Sequence, residues 1–327
     1  MAKIKSDKNI KKALTALAKR FDEPVVMKMN ATNSGIETIP SGRPDLDIAL
    51  GGGYGLGKLI EIFGESMTGK TGLALEAIAS VQKEGGVCAI IDAEHALNVG
   101  YCEQVGVNIG ELYISQPSHG EQAIEAIRAL VNTGEVDLIV VDSVAALTPK
   151  AILEGEAGEA KMAVLARLMS QGISMIKGVA SEVGCTIIFI NQLRSTMAMY
   201  GPSITTTGGK TLPFFATQRL EVKNKGRLKL GDDVIGFKQH INIIKNKVGP
   251  PFKTIDYEIV YGKGIDKLNG FIEALVFEEI LTKKGGGYFS YGETKLGHGM
   301  KKLRETLEDN PELVEELEKK LEETKNN

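Results

Sequence analysis

Apolar positions recur with two different periods along the chain, and the change from one to the other divides it. From Lys8 to Phe21 the residues Ile10, Ala13, Leu14, Leu17, Ala18 and Phe21 return at three and four, which predicts an amphipathic helix with Ser6 or Asp7 placed to cap it. Pro24 follows, and the mixed residues beyond it, with Asn33-Ser34-Gly35 and Pro40-Ser41-Gly42, read as a linker. Short apolar runs then occupy 59–63, 87–91, 112–115, 137–142 and 186–192. Each is apolar along its length rather than alternating, as a strand covered on both faces is. Helical spacing fills the intervals: Leu73, Leu75, Ala77, Ile78 and Ala79, then 121–132 with Ala123, Ile124, Ile127, Leu130 and Val131, then roughly 163–181. Strands alternating with helices predict an α/β fold on a mostly parallel sheet.

Past Arg219 the period changes. Residues 219–223, 238–245 and 255–260 alternate as antiparallel strands do. From about residue 267, Phe271, Ile272, Leu275, Val276, Ile280 and Leu281 predict an apolar helix. A hairpin over 288–296 follows Gly285-Gly-Gly287, and Asn310-Pro311 opens a last helix. The expected division is a helix and linker over 1–32, a core over 33–266 and a small α+β domain over 267–327. A terminal helix on a linker packs on its own domain or docks on a neighbouring copy, and spacing leaves both open.

The run at 59–63 leads into Gly64-Glu65-Ser66-Met67-Thr68-Gly69-Lys70-Thr71, which fits G-x-x-x-x-G-K-[ST] between a strand and a helix. Gly64 and Gly69 let the backbone curl so that several N–H groups face one anion, and the helix start adds partial positive charge. Lys70 would reach the β- and γ-phosphates, and Thr71 would offer its hydroxyl to Mg²⁺. Ligands in parallel α/β sheets sit at the carboxyl ends of the strands. That rule brings Glu94, Asp142 and Gln192 to the loop. Asp142 fits a metal-holding acid, Glu94 a base that polarises the attacking water, and Gln192 a contact to the γ-phosphate or a buried amide capping its strand. No metal-ligand spacing surrounds His95, His119, His240 or His298, which read as structural.

The net charge is −3, but residues 1–20 and 219–253 each carry +6, while 305–323 carry −7. Local excess of this kind suits a polyanion, and equally a solvated face. Two glycine-rich segments, 154–161 and 194–210, start near the nucleotide end of the sheet, where long loops are functional or mobile. Their hydroxyls, glycine N–H groups and few cations suit phosphate tracking along a single strand. Lys245 and Lys247, two apart on a strand, point together, as a solvated pair or as a clamp supplied to a neighbour's γ-phosphate. Three cysteines without C-x-x-C spacing argue against disulfides and zinc, and no apolar run approaches the roughly 18 residues of a membrane span. A cytoplasmic chain is expected.

Taken in order, Gly64 to Thr71, Asp92-Ala-Glu-His-Ala-Leu97, Val140-Val-Asp-Ser-Val-Ala-Ala-Leu-Thr-Pro-Lys150, Phe189-Ile-Asn-Gln192, Thr205-Thr-Thr-Gly-Gly209 and Lys245-Asn-Lys247 resemble the signature segments of bacterial RecA-type recombinases. The likeness covers essentially the whole chain. It implies a P-loop NTPase core, ATP and Mg²⁺, and a helical filament on single-stranded DNA that pairs with homologous duplex DNA and exchanges strands in recombination and repair. By match, the loop through Gly72 binds phosphates, Glu94 activates water, and Asp142 with Ser143 supports the metal. Tyr101 would stack on adenine, and Gln192 would report the γ-phosphate to the second DNA loop. Lys245 and Lys247 would reach ATP across the subunit interface, where Phe214 also sits. Met162, Arg167, Arg194, Gly208 and Gly209 are the matching DNA-facing positions, and the first helix would dock on the adjacent protomer. A repressor or other regulator whose self-cleavage the filament promotes is a further implied partner.

Some positions depart from the family pattern. Asn98 stands where an acid is usual near adenine, Gly72 where a second threonine is usual, and Pro213 where a lysine is common. Ser174 and Ile204 stand where Arg and Glu are often found. These bear on base preference, DNA contacts and turnover. A ring-forming motor would need a different amino-terminal module and no tail domain.

Overall fold

A computed structural model of the chain describes residues 8–22, 25, 26, 35–155, 161–195, 204–230, 232–262, 264, 265 and 267–325. The chain divides into two units, 1–37 and 38–327. The first holds α1 (Lys8–Phe21), matching the span read from its spacing. Ser6 and Asp7, its expected caps, lie outside the described residues.

In the second unit β1 (Thr38–Ile39) and β2 (Tyr54–Gly55) pair antiparallel around α2 (Pro44–Leu50), a helix with Pro44 in its first turn and Gly51 in the left-handed region at its end. Then come β3 (Leu59–Gly64), α3 (Lys70–Lys83), β4 (Cys88–Asp92), α4 (Val99–Val105), β5 (Leu112–Ser115), α5 (Gly120–Thr133), β6 (Leu138–Asp142), α6 (Lys150–Leu153), α7 (Lys161–Val183) and β7 (Thr186–Ser195). The chain continues through β8 (Ile204–Thr206), α8 (Thr211–Phe215), β9 (Gln218–Leu230), β10 (Asp233–Asn246), β11 (Thr254–Val260) and β12 (Gly264–Ile265). Across the main sheet the order is β12-β11-β10-β9-β3-β7-β6-β4-β5. It is parallel from β9 to β5 and antiparallel from β9 to β12, and β8 pairs antiparallel with β7.

The uniformly apolar strands are explained by two cores. Even-numbered positions (Ile60, Ile62, Ile90, Val140, Ile188, Ile190) pack with Leu73, Leu75 and Ile78 of α3. Odd-numbered ones (Leu59, Ile91, Ile139, Val141, Ile187, Phe189) pack with Ile124 and Ile127 of α5 and Ile173 and Ile176 of α7. Both faces of β3, β4, β6 and β7 are therefore dry, and neither can carry the alternation of a half-exposed strand. The run at 112–115 departs from that expectation: β5 lies at the sheet edge, where no further strand covers it, and Tyr113 and Ile114 are exposed.

The chain ends in α9 (Lys267–Phe277), β13 (Thr282–Lys284), β14 (Tyr288–Tyr291), β15 (Thr294–His298), α10 (Gly299–Glu308) and α11 (Pro311–Lys325), which share a third core with Phe271, Leu275, Leu281, Phe289, Leu303 and Leu317. Ile48 of α2 packs against it. The helix expected to include Ile280 and Leu281 stops at Phe277, because Glu279 turns through φ 57. Leu281 still reaches the same core, so the apolar spacing reports burial rather than helix length here. The strand begun at Arg219 runs on to Leu230 and belongs to the main sheet. Its polar run Lys223-Asn-Lys-Gly-Arg227 hides the extension from any apolar count, because it pairs with β10 through backbone bonds.

Candidate nucleotide site and the loops beside it

Gly64 closes β3 at a point where a Cβ would fall 2.0 Å from the Val222 carbonyl oxygen, so only glycine fits. Gly69, at φ +83, turns the chain into α3. Between them Thr68 Oγ1 donates to the Glu65 carbonyl at 3.0 Å, and Met67 stands exposed at the tip with φ 59. Glu65 and Ser66 are exposed beside it. Lys70 Nζ folds back onto the loop, donating to the Glu65 carbonyl at 2.5 Å and meeting Thr68 Oγ1 at 3.5 Å. Burial lowers its pKa, against the opposing pull of Asp142 and Glu94. A buried ammonium at a helix start, beside a glycine-bracketed loop, is a place for a polyanion.

Thr71 Oγ1 donates to Asp142 Oδ2 at 2.7 Å, joining the first turn of α3 to the end of β6. Burial pushes Asp142 up to about 6, and the nearby Glu94 and Asp92 carboxylates add to the rise. Among the described residues no cluster of three or more His, Cys, Asp or Glu is arranged to hold a metal. The hydroxyl and carboxylate of this pair are hard oxygen donors, and they fit a Mg²⁺ whose remaining ligands are phosphates and water.

Ser143, next to Asp142, donates from Oγ to Glu94 Oε1 at 2.5 Å. The same oxygen accepts from Gln192 Nε2 at 3.0 Å, and Gln192 Oε1 accepts from Arg194 NH2 at 2.6 Å. Register makes this possible, since β7 lies beside β3 with Gln192 opposite Gly64. The hydrogen-bonded line Ser143–Glu94–Gln192–Arg194 thus leaves the loop and runs out along β7. There β8 folds back with Thr205 opposite Arg194. Gly208 and Gly209, both at positive φ, press on α7: a Cβ on Gly208 would meet Met169 Cγ at 3.0 Å, and one on Gly209 would meet Ala166 Cβ at 2.8 Å. Arg167 and Met162 are exposed on the same helix. Residues 156–160 and 196–203, most of the two glycine-rich segments, lie outside the described residues.

The family model of the RecA N-terminal domain matches residues 8–266, and that of the RecA C-terminal domain matches 272–326. The chain belongs to the RecA family. It is similar to Protein RecA of Fusobacterium nucleatum subsp. nucleatum, 48% identical over 97% of this chain and 84% of that protein. Protein RecA of Porphyromonas gingivalis is 46% identical over 96% and 93%, and that of Geobacter metallireducens 44% over 97% and 95%. With membership come a recombinase role in homologous recombination and repair and, in general terms, a DNA-dependent ATPase. The α/β core and small tail are those of the RecA domains. Among the described residues no helix is long and apolar enough to cross a membrane.

Other RecA signature residues lie on neighbouring elements. Tyr101 lies on α4 with its hydroxyl over Gly72, where a Cβ would come within 2.5 Å of it. Burial raises the phenol's pKa. Asn98, a departure from the family pattern, caps α4 by accepting the Tyr101 N–H at 2.9 Å. Lys245 faces Arg219, which faces Glu61, three positions before Gly64. It therefore sits toward the amino end of β3, away from its own phosphate loop. Its ammonium donates to the Phe214 carbonyl at 2.8 Å and the Pro213 carbonyl at 3.0 Å. Burial, with Lys247 and Arg219 adding to it, lowers its pKa. β10 ends at Asn246, so Lys247 lies one residue past the strand that was expected to carry both lysines. Phe214 is 73% exposed, edge-on to Phe215.

Several residues around the site received no role from the motif reading. Asp92 accepts from Ala96 N, Leu97 N and Gln116 Nε2, which shapes the turn bearing Glu94. Its position at a strand end was the available signal. Glu61, fully buried, accepts from Arg219 Nε at 2.5 Å and from Asn191 Nδ2 at 2.9 Å. Arg43, Glu76 and Gln239 form a buried group behind the loop. Arg43 and Gln239 are 196 residues apart, and no spacing joins them.

Proposed function

We propose that this RecA-family chain polymerises on single-stranded DNA as a helical filament and hydrolyses ATP to ADP and phosphate there. That turnover accompanies pairing with homologous duplex DNA and strand exchange. The observation that carries the reading is the line Ser143–Glu94–Gln192–Arg194, because it ties the carboxylate assigned here to water activation to an exposed cation on β7, where β8 pairs just ahead of Gly208 and Gly209. A change at the γ-phosphate is then felt where the DNA loops begin.

Lys70 and the amides of 64–72 hold the triphosphate, and Tyr101 flanks the base. Thr71 and Asp142, with Ser143 in support, would hold Mg²⁺, which would supply charge neutralisation on the triphosphate. Glu94 orients the attacking water and takes its proton, and Gln192 senses the γ-phosphate. Lys245 and Lys247 act on the neighbouring protomer's triphosphate, as their distance in register from their own loop supports. Phe214 and the first helix complete that subunit contact. Met162, Arg167, Arg194, Gly208 and Gly209 line the DNA. The division into 1–32, 33–266 and 267–327, the cytoplasmic setting and a self-cleaving regulator as partner belong to the same reading.

The test is ATP hydrolysis with and without a single-stranded oligonucleotide. Wild type should speed up sharply when the oligonucleotide is added, and Lys70→Ala should be inactive in both conditions. Turnover indifferent to the polymer and to that substitution would overturn the proposal.

A further inference from the structure

The phosphate loop has a back wall, and the wall is polar. Gln239 of β10 is fully buried and donates from Nε2 to the Thr68 carbonyl at 2.7 Å. A Cβ on Gly69 would lie 2.5 Å from that same nitrogen, so the loop and the amide are in direct contact. The Gln239 Oε1 accepts from Arg43 NH1 at 3.0 Å. Arg43 is in turn ion-paired to Glu76 of α3 through Nε, and its guanidinium lies 4.1 Å from the Tyr257 ring centroid. Tyr257 completes the group by donating to Asp45 Oδ1 at 2.8 Å.

This arrangement is over-determined for a mere core contact. The amide has one orientation, because Arg43 can only donate, which leaves Nε2 pointing at Thr68. Glu76 stands on the helix that begins at Lys70, so the Arg43 bridge references the wall to the same helix that the loop opens. The register of β10 against β9 slips between Phe237 and Gln239, and again between Ile243 and Lys245. Such irregularities re-aim the side chain that follows. One strand therefore directs Gln239 at its own phosphate loop and Lys245 away from it.

We propose that Gln239, fixed by Arg43, is a positioning residue of the nucleotide site. It holds the Thr68 carbonyl outward, so that the neighbouring loop amides point at the phosphates. The proposal rests on the loop being the triphosphate site, but not on Lys245 acting across protomers.

Two variants of the full chain test it. Gln239→Met removes both hydrogen bonds without changing charge, and Gln239→Glu keeps the acceptor for Arg43 but cannot donate to Thr68. Binding of a fluorescent ADP without DNA and oligonucleotide-stimulated ATP hydrolysis are measured for each. Loss of one positioning hydrogen bond should weaken ADP binding and raise KM for ATP by about five- to tenfold in both variants, with kcat within about twofold of wild type. Unaltered ADP affinity in Gln239→Glu overturns the proposal, as does a fall in kcat at unaltered KM. If Gln239→Met fails to fold, the Gln239→Glu arm decides alone. Should wild type itself bind no ADP, the nucleotide reading fails instead, and the two failures are distinct.

Discussion

Asp142 is a residue whose chemistry and stability pull in opposite directions. The fold pushes its carboxyl from 3.8 to about 6, because burial and the Glu94 and Asp92 charges disfavour the ionised form. A carboxyl raised in this way contributes stability that is complete below the unfolded value near 4 and lost as pH rises through about 6. Asp142→Asn keeps an oxygen for the Thr71 hydroxyl and removes the charge. Without nucleotide or metal it should be more stable than wild type at pH 7.5, by about 2–3 kcal/mol, with the gap closing near pH 4. Thermal melting across that range checks it, and parallel curves at every pH would exclude a buried charge as the cause. Hydrolysis should be lost in the same variant, an expense of stability for function.

At the scale of elements, glycines in one helix have opposite roles. On α7 a Cβ at Gly172 would lie 2.6 Å from Ile124 Cδ1 and 3.0 Å from its Cγ1, where α5 crosses. At Gly178, exposed on the same helix, a Cβ would meet nothing within 4 Å. Gly178→Ala should stabilise the protein by about 0.5–1 kcal/mol through lower backbone entropy in the unfolded chain. Gly172→Ala should destabilise it by about 1–2 kcal/mol, because forcing α5 and α7 apart outweighs the helix gain. Urea unfolding midpoints of the two variants separate these signs. A stabilised Gly172→Ala would mean that the α5–α7 contact yields freely.

At the scale of the whole molecule, the proposed filament builds each nucleotide site from two protomers. Lys245 holds carbonyl oxygens of its own chain here, so gripping a neighbour's phosphate requires it to let go of Pro213 and Phe214. Lys70→Ala and Lys245→Ala should each abolish oligonucleotide-stimulated hydrolysis when alone. Mixed in equal amounts they should recover about a quarter of wild-type turnover, since that share of head-to-tail contacts pairs an intact Lys70 with an intact Lys245. A mixture as inactive as its parts would show that both lysines serve the same protomer.

The glycine-bracketed loop, the acid at the end of β6 and the apolar strands β3, β4, β6 and β7 were legible from residues alone, because each is a local pattern: a turn that only glycine makes, or a run covered on both faces; β5 was legible as a strand but not as an exposed edge. Glu94, Asp142 and Gln192 could be brought to one edge because parallel strands present their carboxyl ends together. Extension of β9 through a charged run, the stop of α9 at Phe277 and the contact of Gln239 with Thr68 were not legible. The first and last depend on which segment lies alongside, as Gln239 and Thr68 do from 171 residues apart, while α9 ends in a left-handed turn at Glu279 that its apolar spacing does not announce. Sequence by itself determined the loop's glycines, lysine and threonine and their place between a strand and a helix. Only the packed sheet decided what holds the loop in shape and which lysine is kept out of its reach, since hydrogen-bond partners across a sheet are chosen by register and not by spacing along the chain.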